Sequence, residues 1–233
     1  MSGNSINFII ECRNLFYEYS PGHAALNNIN LNIANNEKIA LIGSNGSGKS
    51  TLLLNIAGVL NPSKGKINIY GKIGFTFQNS EDQILMPTVI EDVAFSLIAS
   101  GVNLNSAHEQ AHNILKNLGI EHLADRSPHK LSGGEKRLIT LAGVLVNEPE
   151  ILILDEPTSS LDSKARRRII NFLRDYNNAV LMTTHDLDLA LEICQRVIIL
   201  NNGEIKADGN INNILHDKNL LELNGLELPI KFS

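Results

Sequence analysis

Gly43-Ser44-Asn45-Gly46-Ser47-Gly48-Lys49-Ser50, followed by Thr51 and Leu52-Leu53-Leu54, fits the pattern GxxxxGK[ST]. Ahead of it Lys38-Ile39-Ala40-Leu41-Ile42 reads as a short buried strand, and Ser50 to Val59 behind it reads as a helix. Strand, glycine loop and helix in that order are what a phosphate-binding loop requires. The glycines let the backbone wrap so that successive N–H groups converge on phosphate oxygens, and the helix adds the positive end of its dipole. Lys49 is then the cation for the β- and γ-phosphates, and Ser50 offers the hydroxyl that such loops place on Mg2+. A nucleoside triphosphate is the expected ligand.

Working outward, Phe8 to Tyr19 and Ile29 to Ile33 have strand character, the second alternating with one apolar face, and an antiparallel β-layer ahead of the loop strand is the simplest reading. Tyr19 precedes the turn Ser20-Pro21-Gly22, where its ring can either stack on a nucleotide base or pack within the strand. After the loop helix, Asn61-Pro62-Ser63-Lys64-Gly65 reads as a break, and Lys66 to Tyr70 and Ile73 to Phe77 as two strands about a turn at Gly71. Gln78 follows at the carboxyl end of the second strand, where open parallel sheets meet their ligands, so its amide is a candidate for the metal or the attacking water.

From Thr88 to about Leu118 the pattern turns helical, with Val89, Val93 and Leu97 on one face and a second helix expected from about Ser106, capped by that hydroxyl. His108-Glu109-Gln110-Ala111-His112 within it matches HExxH and raises a zinc protease as a rival, although no third ligand follows at the HxxGxxH spacing. Leu131-Ser132-Gly133-Gly134-Glu135 opens another helix. Ser132 with the N–H groups of Gly133 and Gly134 makes either an N-cap or a second anion site. Ile151 to Leu154 is a continuous apolar strand running into Asp155-Glu156. In phosphate-loop enzymes the first such acid holds Mg2+, and the second is placed to polarise a water. Ser159 to Asp162 is a polar turn, and the strand Ala179 to Thr183 leads to Thr184-His185-Asp186, which singles out His185. Arg196 to Leu200 and Glu204 to Ala207 flank the hairpin signal Asn201-Asn202-Gly203.

Composition narrows the class. The chain has 233 residues, 43% of them hydrophobic, enough for a full core. Its 20 Lys+Arg against 25 Asp+Glu give a formal charge of -5, a poor footprint for holding nucleic acid, and Lys164-Ala165-Arg166-Arg167-Arg168 reads as a solvated helix face. Cys12 and Cys194 stand far apart in apolar settings, against a disulfide framework and in favour of a reducing compartment. Met1 to Asn7 lacks a basic and then apolar leader, and no apolar run reaches a membrane span of about 18 residues.

Together, the phosphate loop, Gln78, LSGGE at Leu131 to Glu135, Asp155-Glu156, SLD at Ser160 to Asp162 and His185 resemble the ATP-binding subunit of ABC transporters. The segment from Phe77-Gln78-Asn79-Ser80-Glu81-Asp82-Gln83 through Pro87-Thr88-Val89 to Phe95 is similar to that of the energy-coupling factor importers of metal ions and vitamins. The tail Leu226-Glu227-Leu228-Pro229 resembles the cobalt/nickel branch. Ser80 stands where that family has proline, Ile90 where it has an acid and Ser96 where it has glycine.

The resemblance implies an α/β phosphate-loop ATPase core with a parallel sheet, a flanking antiparallel β-layer and a helical insertion over about 86–147. It implies one nucleotide-binding domain over 1–233 with a short extension from about 210. It implies ATP held by Tyr19, Gly43, Ser44, Asn45, Gly46, Ser47, Gly48, Lys49, Ser50 and Thr51, with Mg2+ at Ser50, Gln78 and Asp155. Glu156 is the implied general base and His185 the γ-phosphate contact; Ser132, Gly133, Gly134 and Asp162 complete the site of an opposing subunit. The implied partners are a second ATPase subunit, identical or paralogous, an integral coupling protein and a substrate-binding membrane component, at the cytoplasmic face of the membrane. The cargo would be cobalt or nickel, with a vitamin such as biotin as alternative. A soluble ABC ATPase of DNA repair or translation is the competing class, disfavoured by the acidic balance.

Overall fold

The computed structural model describes residues 7–232; most of the polar N-terminal stretch read above lies outside them. In chain order the strands are β1 (Phe8–Ser20), β2 (His23–Ala34), β3 (Lys38–Ile42), β4 (Lys64–Ile69), β5 (Ile73–Thr76), β6 (Ile151–Leu154), β7 (Ala179–Thr183), β8 (Arg196–Asn201) and β9 (Glu204–Asn210). The helices are α1 (Lys49–Ile56), α2 (Val89–Ala99), α3 (Leu104–Asn117), α4 (Gly133–Leu145), α5 (Ser163–Asp175), α6 (Leu187–Ile193), α7 (Ile211–Leu215) and α8 (Lys218–Leu223). The chain divides into two compact units, one formed by residues up to 73 with 150–156 and 177 onward, the other by 74–149 and 157–176.

In the first unit, β6, β7, β3 and β8 lie side by side in that order as parallel strands, and β9 adds antiparallel to β8. Parallel strands are covered on both faces, so they read as unbroken apolar runs. Accordingly Ile151–Leu154 and Ala179–Thr183 are buried throughout. Leu154 pairs with Met182 and Leu41 with Thr183, so the carboxyl ends of β6, β7 and β3 are level. The 43–48 loop, Asp155-Glu156 and Thr184-His185 therefore leave the sheet at one edge. Asn202 and Gly203 supply the two positive φ values (50° and 74°) of the β8–β9 hairpin.

The antiparallel layer of this unit has the order β2-β1-β4. Arg196 joins it to the parallel sheet: its guanidinium donates to Asp208 at 2.5 and 2.6 Å, to Glu37 at 3.1 Å and to the Asn32 carbonyl at 2.9 Å. β2 starts at His23 rather than Ile29, because pairing with β1 continues to Ser20↔His23. Lys64 and Gly65, expected in a break, belong to β4. Gly65 takes φ +90, and a Cβ there would come 2.2 Å from the Asn14 carbonyl oxygen. At the carboxyl end, Asp188 of α6 accepts the N–H groups of Ile230 and Lys231 (both 3.2 Å), and Phe232 stacks on His216 with ring centres 3.7 Å apart.

The second unit is largely helical. Thr88 and Glu91 form a capping box at the start of α2, and Ser132 with Glu135 forms another at α4. Asn103, not Ser106, caps α3: its side chain accepts the N–H of Ser106 at 3.0 Å, so the helix begins a turn earlier than the hydroxyl suggested. α4 is held to the segment after β5 by the Lys136–Glu81 ion pair, by Arg137 Nη1 donating to the Phe77 carbonyl at 2.5 Å and by Thr140 Oγ1 near the Ser80 carbonyl at 3.4 Å. Among the described residues no helix is long and apolar enough to cross a membrane.

Candidate functional site

The loop between β3 and α1 is built by its glycines. Gly48 is the N-cap residue of α1 with φ 104, and a Cβ there would lie 2.5 Å from the Ala25 carbonyl oxygen. A Cβ on Gly43 would come 2.1 Å from the Leu200 carbonyl oxygen. Lys49, 8% exposed, donates from Nζ to the carbonyls of Gly43 (2.8 Å) and Ser44 (2.9 Å). Burial lowers its pKa, while the charges of Glu156 and Asp155 act the other way. Ser47 Oγ is buried with no hydrogen-bond partner. Asn45, Gly46 and Ser50 are exposed. Tyr19 is 62% exposed, its hydroxyl 3.0 Å from Thr51 Oγ1 and its ring edge-to-face with Tyr17. α1 ends at Ile56 rather than Val59, with Gly58 at φ 75 beyond it.

The acid pair leaves β6 directly. Asp155 and Glu156 are each 8% exposed. Glu156 has φ 50, a left-handed conformation that non-glycine residues adopt at a cost and that clusters at functional sites. Burial raises its pKa, and the charge of His185 offsets part of that rise. His185 Nε2 lies 3.4 Å from Glu156 Oε1, on a side chain 52% exposed. Thr183, which the sequence reading passed over, donates from Oγ1 to Asp155 Oδ1 at 2.6 Å and accepts the N–H of Glu156 at 2.9 Å. Thr184 Oγ1 accepts the N–H of Asp186 at 3.0 Å and so braces the turn that carries His185. The available signal was a pair of hydroxyls ending an otherwise apolar strand.

The remaining candidates lie in the second unit. Gln78 is exposed, two residues past β5. The neighbouring Gln83 is the amide that holds the backbone: it accepts from Phe77 N at 2.8 Å and donates to the Phe75 carbonyl at 3.1 Å. Ser132 Oγ accepts the N–H of Glu135 at 3.3 Å, which makes it the cap of α4, while its N and Oγ donate to Glu135 Oε2 (2.9 and 2.8 Å). Gly133 is open to solvent, whereas Gly134 is buried against α5: a Cβ there would lie 2.8 Å from Ala165 Cβ and 3.9 Å from Asp162 Oδ2. Asp162 itself caps α5 by accepting Ala165 N at 2.8 Å. His108 and His112 lie on α3. Among the described residues no group of three His, Cys, Asp or Glu is placed to hold a metal ion.

The family model described as "ABC transporter" matches residues 26–159. An ABC transporter ATP-binding protein of Gloeobacter violaceus is 46% identical over 93% of this chain and 95% of its own. An energy-coupling factor transporter ATP-binding protein of Methanospirillum hungatei is 38% identical over 95% and 86%. Among solved structures, cbiO1 from Clostridium perfringens, described as part of the ABC transporter complex cbiONQ, superposes with a TM-score of 0.81 at 34% identity, covering 93% of this chain and 94% of that one. A phosphate loop after β3, an acid pair at the level end of β6 and relatives of this closeness over nearly the whole length lead to one assignment: the chain belongs to the ABC transporter family and is one of its ATP-binding ATPases.

Proposed function

We propose that this ATPase energises an importer of the energy-coupling factor type, hydrolysing ATP at the edge where β3, β6 and β7 end. The observation that carries the reading is the convergence there of Lys49, Asp155, Glu156 and His185 within one unit. The phosphates of ATP take the N–H groups of the 43–48 loop, and Lys49 exchanges its two carbonyls for phosphate oxygens. Thr51 and Tyr19 flank the nucleotide. The Ser50 hydroxyl and the Asp155 carboxylate are hard oxygen donors of the kind Mg2+ takes when phosphates and water complete its shell. Bound Mg2+ supplies charge neutralisation at the β- and γ-phosphates.

Glu156 is the proton acceptor. Burial brings its carboxyl closer to neutrality than an exposed glutamate, which suits a base. It takes a proton from water as the water oxygen bonds to the γ-phosphorus and the bond to the β-bridging oxygen breaks. His185, 3.4 Å away and half exposed, orients that water and the γ-phosphate. Ser132, Gly133, Gly134 and Asp162 supply the opposing anion site of a second ATPase subunit, and the pair works on the cytoplasmic face beneath an integral coupling protein. Support for the importer class comes from the 77–95 segment and from the energy-coupling factor and cbiONQ relatives. By the same resemblance the cargo is a cobalt or nickel ion.

Glu156→Gln tests the site. It should retain ATP binding while turnover falls by about 100-fold or more, the scale of a lost general base. Turnover near that of the parent would remove Glu156 from the role. Purification of the tagged chain from detergent-solubilised native membranes tests the setting. A small integral protein with a substrate-capturing partner supports the importer; only soluble proteins would end it.

A further inference from the structure

Thr183 closes β7 and is the odd residue in it. Ala179, Val180, Leu181 and Met182 are apolar and buried, and Thr183 is as deeply buried (0% exposed). A hydroxyl in such a place is unfavourable unless its donor and acceptor are both used. Here both are, and both on the acid turn: the proton goes to Asp155 Oδ1 and a lone pair receives the N–H of Glu156. The register dictates this meeting. Leu154 pairs with Met182, so the next residue on β6 comes beside the next on β7. A β-branched side chain in a strand has few χ1 options, which aims Oγ1 at a fixed point.

We infer that Thr183 is a positioning residue for hydrolysis, one hydroxyl setting both the direction of the Asp155 carboxylate and the left-handed turn that presents Glu156. With Oδ1 taken by Thr183, Oδ2 is the Asp155 oxygen left for a metal. The same hydroxyl holds the peptide N–H at the residue with φ 50, so a change in one acid's orientation is transmitted to the other. The inference rests on the roles given to Asp155 and Glu156 above, and the test separates the two.

The full chain is compared as parent, Thr183→Val, Thr183→Ser, Asp155→Asn and Glu156→Gln. The readouts are Mn2+ affinity in the presence of ADP by electron paramagnetic resonance, affinity for a fluorescent ATP analogue in EDTA, kcat and KM, and melting temperature. Valine keeps the shape of threonine and removes both hydrogen bonds. Thr183→Val should weaken Mn2+ binding about 10–100-fold, the range seen when a group orienting a metal ligand is lost, and lower kcat. Metal-free nucleotide affinity should not change, and Thr183→Ser, which keeps the hydroxyl but frees its χ1, should recover most of the Mn2+ affinity that Thr183→Val loses. Thr183→Ala makes the same comparison if the valine variant is poorly folded. Parental Mn2+ affinity and kcat in both hydroxyl-free variants, beside inactive Asp155→Asn and Glu156→Gln, would overturn the role of Thr183 alone. Parental behaviour of Asp155→Asn and Glu156→Gln would instead overturn the site on which it depends.

Discussion

Gly48→Ala should separate two reasons for a glycine in the phosphate loop. Gly48 and Gly46 both have positive φ, 104° and 78°, so alanine at either meets a backbone penalty of about 1–2 kcal/mol. They differ in surroundings. A Cβ on Gly46 has nothing within 4 Å, while one on Gly48 lies 2.5 Å from the Ala25 carbonyl oxygen and 3.2 Å from Leu26 Cδ2, both in β2. Relieving that overlap means moving the backbone of β2 or of the helix start, at about 1–3 kcal/mol as for an overpacked core. Gly48→Ala is therefore expected to lose about 2–5 kcal/mol and Gly46→Ala only about 1–2. For a chain of this length each kcal/mol moves the melting temperature by about 2–4 °C, so the two variants should differ by roughly 2–12 °C. Scanning calorimetry and urea titration of both measure the difference. Equal melting temperatures would refute the steric argument, leaving positive φ as the whole requirement at both places.

Arg196→Leu should cost about 2–3 kcal/mol, since charge-assisted bonds to Asp208 and Glu37 are lost while both carboxylates keep some access to water. A double-mutant cycle with Asp208→Asn should show coupling, and strict additivity would argue against the link. The thiols give a pH dependence. Burial pushes Cys12 and Cys194 up to about 12 from 9.0, so above pH 9.0 the unfolded chain releases thiol protons that the folded chain keeps. Their contribution is therefore complete below pH 9.0 and declines toward about 12, by about 1.4 kcal/mol per pH unit for each thiol. Urea titrations should show a shallower alkaline loss in Cys12→Ala/Cys194→Ala, and an unchanged slope would count against thiol burial.

Features set by local chain chemistry were legible in the sequence. The glycine loop, the apolar runs of β6 and β7, the Asn202-Gly203 turn and the cap at Ser132 each announce themselves through φ preference, burial or a short hydrogen bond. Features set by a distant neighbour were not. β2 runs back to His23 because β1 is there to pair with it. Gly65 sits inside a strand because β1 bulges toward it, and Asn103 displaces Ser106 as a cap because two residues with short polar side chains compete for one role. In the site, Asp155, Glu156 and His185 could be named from strand ends. Thr183 shows in the sequence only as a hydroxyl ending an apolar strand, because its importance lies in a cross-strand register that no single segment carries. A helical insertion could be expected over about 86–147, but that 157–176 joins the same compact unit could not, since contacts rather than composition define it.

The bonds from Lys49 to the Gly43 and Ser44 carbonyls bear on the speed of recognition. A buried ammonium that needed phosphate to be satisfied would let the segment collapse or unravel between turnovers, and each arrival would wait for refolding. Here the loop carries a resident substitute for its guest. On the function proposed above, capture of a nucleotide is a swap of one set of acceptors for another around Lys49, and release returns the lysine to the Gly43 and Ser44 carbonyls.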